Sequence, residues 1–170
     1  MYKKVKKYAI TNGMSVDEKA GIAYGRINGY FLAIYQDPVT PARHTLQLWV
    51  KPGNAEAYPT ILDFVNQCTP KFKYLTAASY TGTKITAEFW GTGFKWGSEY
   101  VPCIDAFLKE LTNYCNAKQL VTCCEACCSV EALSLYQIDS TQHLFCSSCY
   151  AGASEKLHKE VSQKANQGGG

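Results

Sequence analysis

Arginine is almost missing from this chain: Arg26 and Arg43 are the only two. Planar guanidinium forks are the usual clamps for phosphate and carboxylate, so their scarcity argues against a site built on them. Histidine is scarce as well, with three, and only His44 lies in the larger, N-terminal part. No G-x-S-x-G elbow, HExxH pair or Walker A loop occurs. The familiar signatures of serine hydrolases, zinc proteases and P-loop enzymes are therefore absent. Long apolar runs are missing too. Nothing approaches the ~18 consecutive apolar residues of a membrane-crossing helix. The basic stretch from Met1 to Lys7 lacks the apolar core of roughly 7–15 residues that marks a secretory signal. A reducing cytoplasm is the expected compartment, for a free protein or for the cytosolic portion of a larger or membrane-anchored one.

What the chain does have is apolar side chains and cysteine. Hydrophobic residues make up 46% and charged residues 18% of 170 positions. That suits a packed globular chain, long enough for one ordinary domain and a small metal-stapled one. Cysteines number nine. An odd count cannot pair completely into disulfides within one chain, and no secretory signal supports an oxidised domain.

Four of the nine carry the strongest signal. Cys124-Glu-Ala-Cys127 is followed, after eighteen residues, by Cys146-Ser-Ser-Cys149. Two C-x-x-C knuckles at this separation form a metal signature, because each turn lets two sulfurs reach one ion while the backbone folds beneath it. Four thiolates give zinc a closed tetrahedral shell. One structural zinc, held by Cys124, Cys127, Cys146 and Cys149, is the expectation. Cys123 and Cys128 flank the first knuckle, and His143 precedes Cys146 by three residues. The register thus stays open to replacement of one ligand by a neighbour. Cys124 and Cys127 are preferred because they alone make the two-residue spacing.

Between the knuckles the pattern is a β-hairpin: Leu133 and Leu135 alternate with Ser134, Tyr136 and Ile138, and His143-Leu144-Phe145 returns after the polar residues 139–142. After Cys149 the period turns helical, with Tyr150, Ala153, Leu157 and Val161 on one face. The second knuckle thus opens a helix, whose N-terminal N–H groups favour thiolates. Knuckle, hairpin and knuckle at a helix start resemble a treble-clef zinc finger, or the related zinc ribbon, over about residues 121–162. The resemblance implies a structural zinc and says nothing of the task.

Charge restricts that task. From Gln119 to Glu155 there is no lysine or arginine, while Glu125, Glu131, Asp139 and Glu155 fall in the same stretch. A zinc tetrathiolate would add a formal −2. Such a module repels phosphates, so no nucleic-acid binding is expected of it. The cations cluster instead at Lys3, Lys4, Lys6 and Lys7, read as a solvated end.

Residues 20–120 read as an α+β domain. Ile22 to Tyr35 gives one or two strands with Asn28-Gly29 as a hairpin turn. Arg43 to Lys51 alternates, with Leu46, Leu48 and Val50 on one face and Thr45, Gln47, Trp49 and Lys51 on the other. Pro52-Gly53-Asn54 ends it. A helix carries Tyr58, Ile61, Leu62, Phe64, Val65 and Cys68, and Pro70 stops it. Strands over Phe72–Tyr80 and Thr83–Trp90 follow, then a Gly-rich loop. A second helix runs from about Ser98 to Cys115, with Val101, Ile104, Phe107, Leu108, Leu111 and Cys115 as its stripe. Pro59 and Pro102 are expected in the first-turn regions, where a missing N–H costs little. The fold class expected is α+β: an antiparallel sheet with two helices on one face, a strand–strand–helix duplication open, then a small four-cysteine zinc-binding module. Residues 1–19 are a basic N-terminal segment, and 163–170 a flexible tail or linker start.

Three kinds of function fit. The first is a zinc-stapled, non-enzymatic interaction or sensory module, resembling the soluble zinc-bearing portions that precede linkers or membrane segments in bacterial proteins. Its protein partner would meet Phe94 and Trp96 in the Gly-rich loop, since aromatics make good interface anchors. The second is a thiol-based redox or metal sensor using Cys123–Cys128. The third is an enzyme with a site of no known signature in the N-terminal domain. That reading needs a concave pocket joining His44 to carboxylates.

Overall fold

A computed structural model describes residues 1–51, 57–92, 96–138 and 141–152. The chain divides into two compact units, Met1–Thr122 and Cys123–Gly170.

The first unit is a six-stranded antiparallel sheet with helices. Its elements are α1 (Lys3–Thr11), β1 (Ser15–Asp17), β2 (Ile22–Ile27), β3 (Tyr30–Gln36), β4 (Arg43–Trp49), α2 (Ala57–Cys68), β5 (Leu75–Tyr80), β6 (Lys84–Trp90) and α3 (Trp96–Ala117). The strand order is β1-β2-β3-β4-β6-β5. Asn28 (φ 52°) and Gly29 (φ 87°) are both left-handed and join the closing pair Ile27↔Tyr30. A two-residue turn of this hand matches the twist of its strands, which is why Asn-Gly marks it in the sequence.

Cross-strand register gathers the core. Leu32 faces Leu48, Ile34 faces Leu46, and these continue to Ile85 and Ala87. All six are at most 1% exposed. Val5 and Ala9 of α1, Ile61 and Val65 of α2, and Ile104, Phe107, Leu108 and Leu111 of α3 belong to the same cluster. Each large apolar side chain among them contributes roughly 1.5–3 kcal/mol by leaving water. The order β3-β4-β6-β5, with α2 and α3 following β4 and β6, is what a strand–strand–helix unit and its repeat would give. Residues 3–27 extend that array at the β3 edge.

Four expectations change. The segment before residue 20 contains α1 and β1: the lysines lie outward or half-buried, but Val5 and Ala9 of the same helix are fully buried. Pro102 sits inside α3 rather than in its first turn, because the helix begins at Trp96. Lys71 N–H and Leu75 N–H close turns onto Cys68 and Phe72 carbonyls (both 3.0 Å), so β5 starts three residues later than the pattern suggested. Trp49, on the outward face by alternation, is fully buried. The Pro52–Asn54 break, Phe94, and Ala153, Leu157 and Val161 lie outside the described residues, as does the 163–170 tail.

α3 ends in a Schellman arrangement. Gln119 takes φ 54°, its N–H reaches the Asn116 carbonyl (3.0 Å), and Leu120 N–H reaches the Cys115 carbonyl (2.9 Å). The chain then runs to Thr122, whose hydroxyl donates to the Trp49 carbonyl (2.7 Å) and accepts from Phe31 N–H (3.0 Å).

The second unit holds β7 (Leu133–Ile138) and β8 (Thr141–Cys146), paired antiparallel from Leu133↔Cys146 to Ile138↔Thr141. A helix, α4, follows from residue 147 and is described to 152. Among the described residues no helix is long and apolar enough to cross a membrane.

Candidate metal centre

The first knuckle is a backbone turn. Cys128 N–H donates to the Cys124 carbonyl (3.0 Å), and Cys124 N–H donates to the Ser129 carbonyl (2.7 Å). Glu125 fastens this turn to β8: its N–H reaches the Leu144 carbonyl (3.0 Å), and its Oε1 accepts from Leu144 N–H (2.9 Å). β8 ends at Cys146 and α4 begins at once, which places Cys149 in the first helical turn.

These elements bring Cys124, Cys127, Cys146 and Cys149 together, with all four sulfurs within 4.8 Å of one another. Cys127 and Cys146 sulfurs are 3.6 Å apart. A tetrahedral ion with ~2.3 Å bonds to sulfur needs edges of about 3.8 Å. The cluster therefore has the size of a metal shell, and it is too wide for a disulfide, whose sulfurs lie ~2.05 Å apart. All nine cysteines are free thiols. The four could hold a metal ion.

The electrostatics point the same way. Burial pushes the Cys124 thiol up, but N–H groups of Cys146, Cys127 and Ala126 aim at its sulfur and bring it down to about 6. Cys149 goes the other way. Hydrogen bonds to the Cys127 and Cys146 sulfurs, reinforced by the Cys124 charge, hold its proton up to about 12. One thiolate forms readily and the last does not. A dication at the centre removes that conflict, because it supplies the charge the four sulfurs need.

The neighbours fall outside the cluster. His143 Nδ1 pairs with Glu125 Oε2 (3.1 Å), and its ring stacks on Phe145. Cys123 is buried, while Cys128 is exposed and left-handed, with φ 61°. That backbone conformation favours glycine. Cys128→Gly is expected to retain one metal per chain and to stabilise the loaded module by about 0.5–1 kcal/mol, since the strain of a Cβ at this φ is removed. Chelator titration with thiol counting checks it, and loss of metal would make Cys128 a ligand.

The larger unit does not bring a carboxylate to His44 among the described residues. His44 is 1% exposed. Tyr100 donates to the Phe89 carbonyl (3.2 Å), so its oxygen accepts from His44 Nδ1–H (2.9 Å). Nε2 is buried and has no hydrogen-bond partner among the described residues. Glu99, one residue before Tyr100, is taken by Lys73 (2.6 Å) and the Tyr74 hydroxyl (3.1 Å). Trp96 opens α3 instead of lying in the loop.

Sequence reasoning missed two groups here. Glu125 is the x of a C-x-x-C, and only the register of β8 reveals its role. α1 carried a usable signal in Asn12-Gly13. Gly13 (φ 75°) donates to the Ile10 carbonyl (3.0 Å) and Met14 to the Ala9 carbonyl (3.0 Å). That is a helix-ending motif.

No protein-family model, no curated protein and no solved structure matches this chain.

Proposed function

We propose that residues 121–162 form a treble-clef-type module around one structural zinc, and that the chain is a non-enzymatic, cytoplasmic interaction or sensory protein stapled by it. The observation that carries this reading is the all-cysteine cluster with its sulfurs within 4.8 Å. Four thiolates complete a tetrahedral shell and leave no position for a reacting water, whereas catalytic zinc keeps one open. Their negative charge also makes the ion a poor Lewis acid. His143, the imidazole of this module's hairpin, is engaged by Glu125. That pair orients the second knuckle and lies outside the cluster.

Tetrathiolate sites suit zinc and iron alike. Elemental analysis should find one chelator-resistant zinc per chain. The cobalt-substituted protein should show a tetrahedral tetrathiolate spectrum that azide and added thiols leave unchanged. A spectrum that shifts with azide would reopen the enzyme reading, and iron in place of zinc would sink the metal assignment.

The sensor alternative has one observation in its favour: Cys127 is exposed and 3.6 Å from Cys146. Several soft metal ions per chain, or reversible thiol loss under mild peroxide, would favour it. A protein partner meeting Phe94 and Trp96 belongs to the same proposal, as does the absence of nucleic-acid binding, which rests on the missing cations between Gln119 and Glu155.

A further inference from the structure

A groove of about 620 Å³ separates α1 from the start of α3. Lys3, Lys4 and Lys7 line one side, and Gly97, Val101 and Pro102 the other. The volume falls in the range that takes small organic molecules. We propose that this groove binds a small amphipathic anion: an apolar body carrying one phosphate or carboxylate headgroup. The proposal is independent of the metal reading.

The charges argue for an anion. Lys3 and Lys7 are four residues apart, so they stack on one face of α1 and repel. Neither has an ion pair among the described residues. α1 has no acidic residue in its first turn and no side-chain cap, so the Lys3 ammonium also stands near the positive end of its own helix. Lys6, which does not line the groove, is by contrast paired with Glu18 at 2.5 Å. Uncompensated cations of α1 therefore face the groove. Lys4 donates to the Gly97 carbonyl and bridges the two walls. Asp105, one turn beyond Val101, is already engaged by the Tyr8 hydroxyl (3.1 Å) and Lys109 (2.7 Å), so it leaves the lysines unneutralised.

The walls argue for an apolar body. Val101 and the Pro102 ring offer hydrocarbon, and the lysine stems offer more. An inorganic ion would leave this surface unused, and a neutral hydrocarbon would leave the ammonium groups unpaired. The Pro102 ring also fixes the backbone of that wall locally.

The test uses the full chain and isothermal titration with octyl phosphate, octanoate, 1-octanol and inorganic phosphate, together with phosphatidylglycerol vesicles. Saturable one-to-one binding of octyl phosphate or octanoate is expected, at least tenfold tighter than 1-octanol or inorganic phosphate. Whichever of the two binds more tightly identifies the headgroup. Lys3→Gln with Lys7→Gln should weaken binding tenfold or more. Lys19→Gln with Lys118→Gln removes the same charge elsewhere and should change it less than twofold. Val101→Glu, which puts a carboxylate in the groove, should abolish binding. Equal affinity for 1-octanol, equal losses in the two double variants, binding to vesicles alone, or no saturable binding would each overturn the proposal. Melting curves of every variant confirm that the sheet unit is folded.

Discussion

Cys146→Ser is expected to abolish one-to-one metal binding and to unfold the chain from about residue 123, while the sheet unit keeps its structure. Few apolar side chains are buried in the second unit: Leu144 is fully buried, joined by Cys123, Cys124 and Cys146 among the described residues. So small a core cannot order its own backbone, and structural zinc in comparable modules contributes about 10–16 kcal/mol to folding at pH 7. Removing one of four thiolates should forfeit most of that. Hydrogen exchange by mass spectrometry gives the readout. β7 and β8 amides should lose protection, and β3, β4 and β6 amides should keep it. Cys128→Ser is the matched control, expected to leave metal and protection unchanged. Full metal retention in Cys146→Ser would mean that this residue is not a ligand.

The sheet unit should lose about 3 kcal/mol between pH 6.5 and pH 4 through His44 alone. Burial, and then the positive amino terminus, pushes His44 from 6.5 down to about 4. In the unfolded chain His44 takes up a proton below pH 6.5, but in the folded protein it stays neutral until about pH 4. The unfolded state thus binds more protons in that window, so stability falls as pH falls, by ~1.4 kcal/mol per unit of separation. Below about pH 4 this contribution levels off. The shifted carboxylates, Glu18 and Asp37, sit on the surface and have pKa values lowered from 4.5 and 3.8, so they act at lower pH. Denaturant unfolding followed by β4 amide exchange should show the slope, and His44→Gln should remove it. A slope unchanged in His44→Gln would mean that the buried imidazole is not its source. The acid-labile thiolates do not confuse this, because the readout is confined to the sheet unit.

Much of this architecture was legible because local signals and burial agree. The alternation in β4, the stripes of α2 and α3, and the Asn28-Gly29 turn candidate each mark an element that forms, although α3 begins two residues earlier than its stripe suggested. The cysteine spacing named the four side chains that the structure brings together. α1 was hidden because four of its nine residues are lysines and only Val5 and Ala9 are fully buried, so composition spoke for a solvated end. Trp49 could not be placed from alternation, which assigns a face but not what covers it. An enzyme reading of the sequence needed His44 beside carboxylates. Its partner turned out to be Tyr100, 56 positions away, a pairing that no local pattern encodes. Glu125 was unreadable for the same reason, since its partners lie across the hairpin.

The pairing of β4 with β6 also sets a time scale. Arg43 meets Trp90 and Trp49 meets Lys84, so the centre of the sheet is made by residues far apart in the chain. The β2–β3 hairpin closes through two residues and can form in ~1–10 μs. The central ladder must instead wait for the intervening segment, α2 and β5 included, to be drawn in, and that loop entropy is lost before any cross-strand contact compensates it. The first unit should accordingly refold slowly for its size. Its rate should be sensitive to substitutions at Leu46, Leu48, Ile85 and Ala87 and nearly indifferent to those in the Asn28-Gly29 turn.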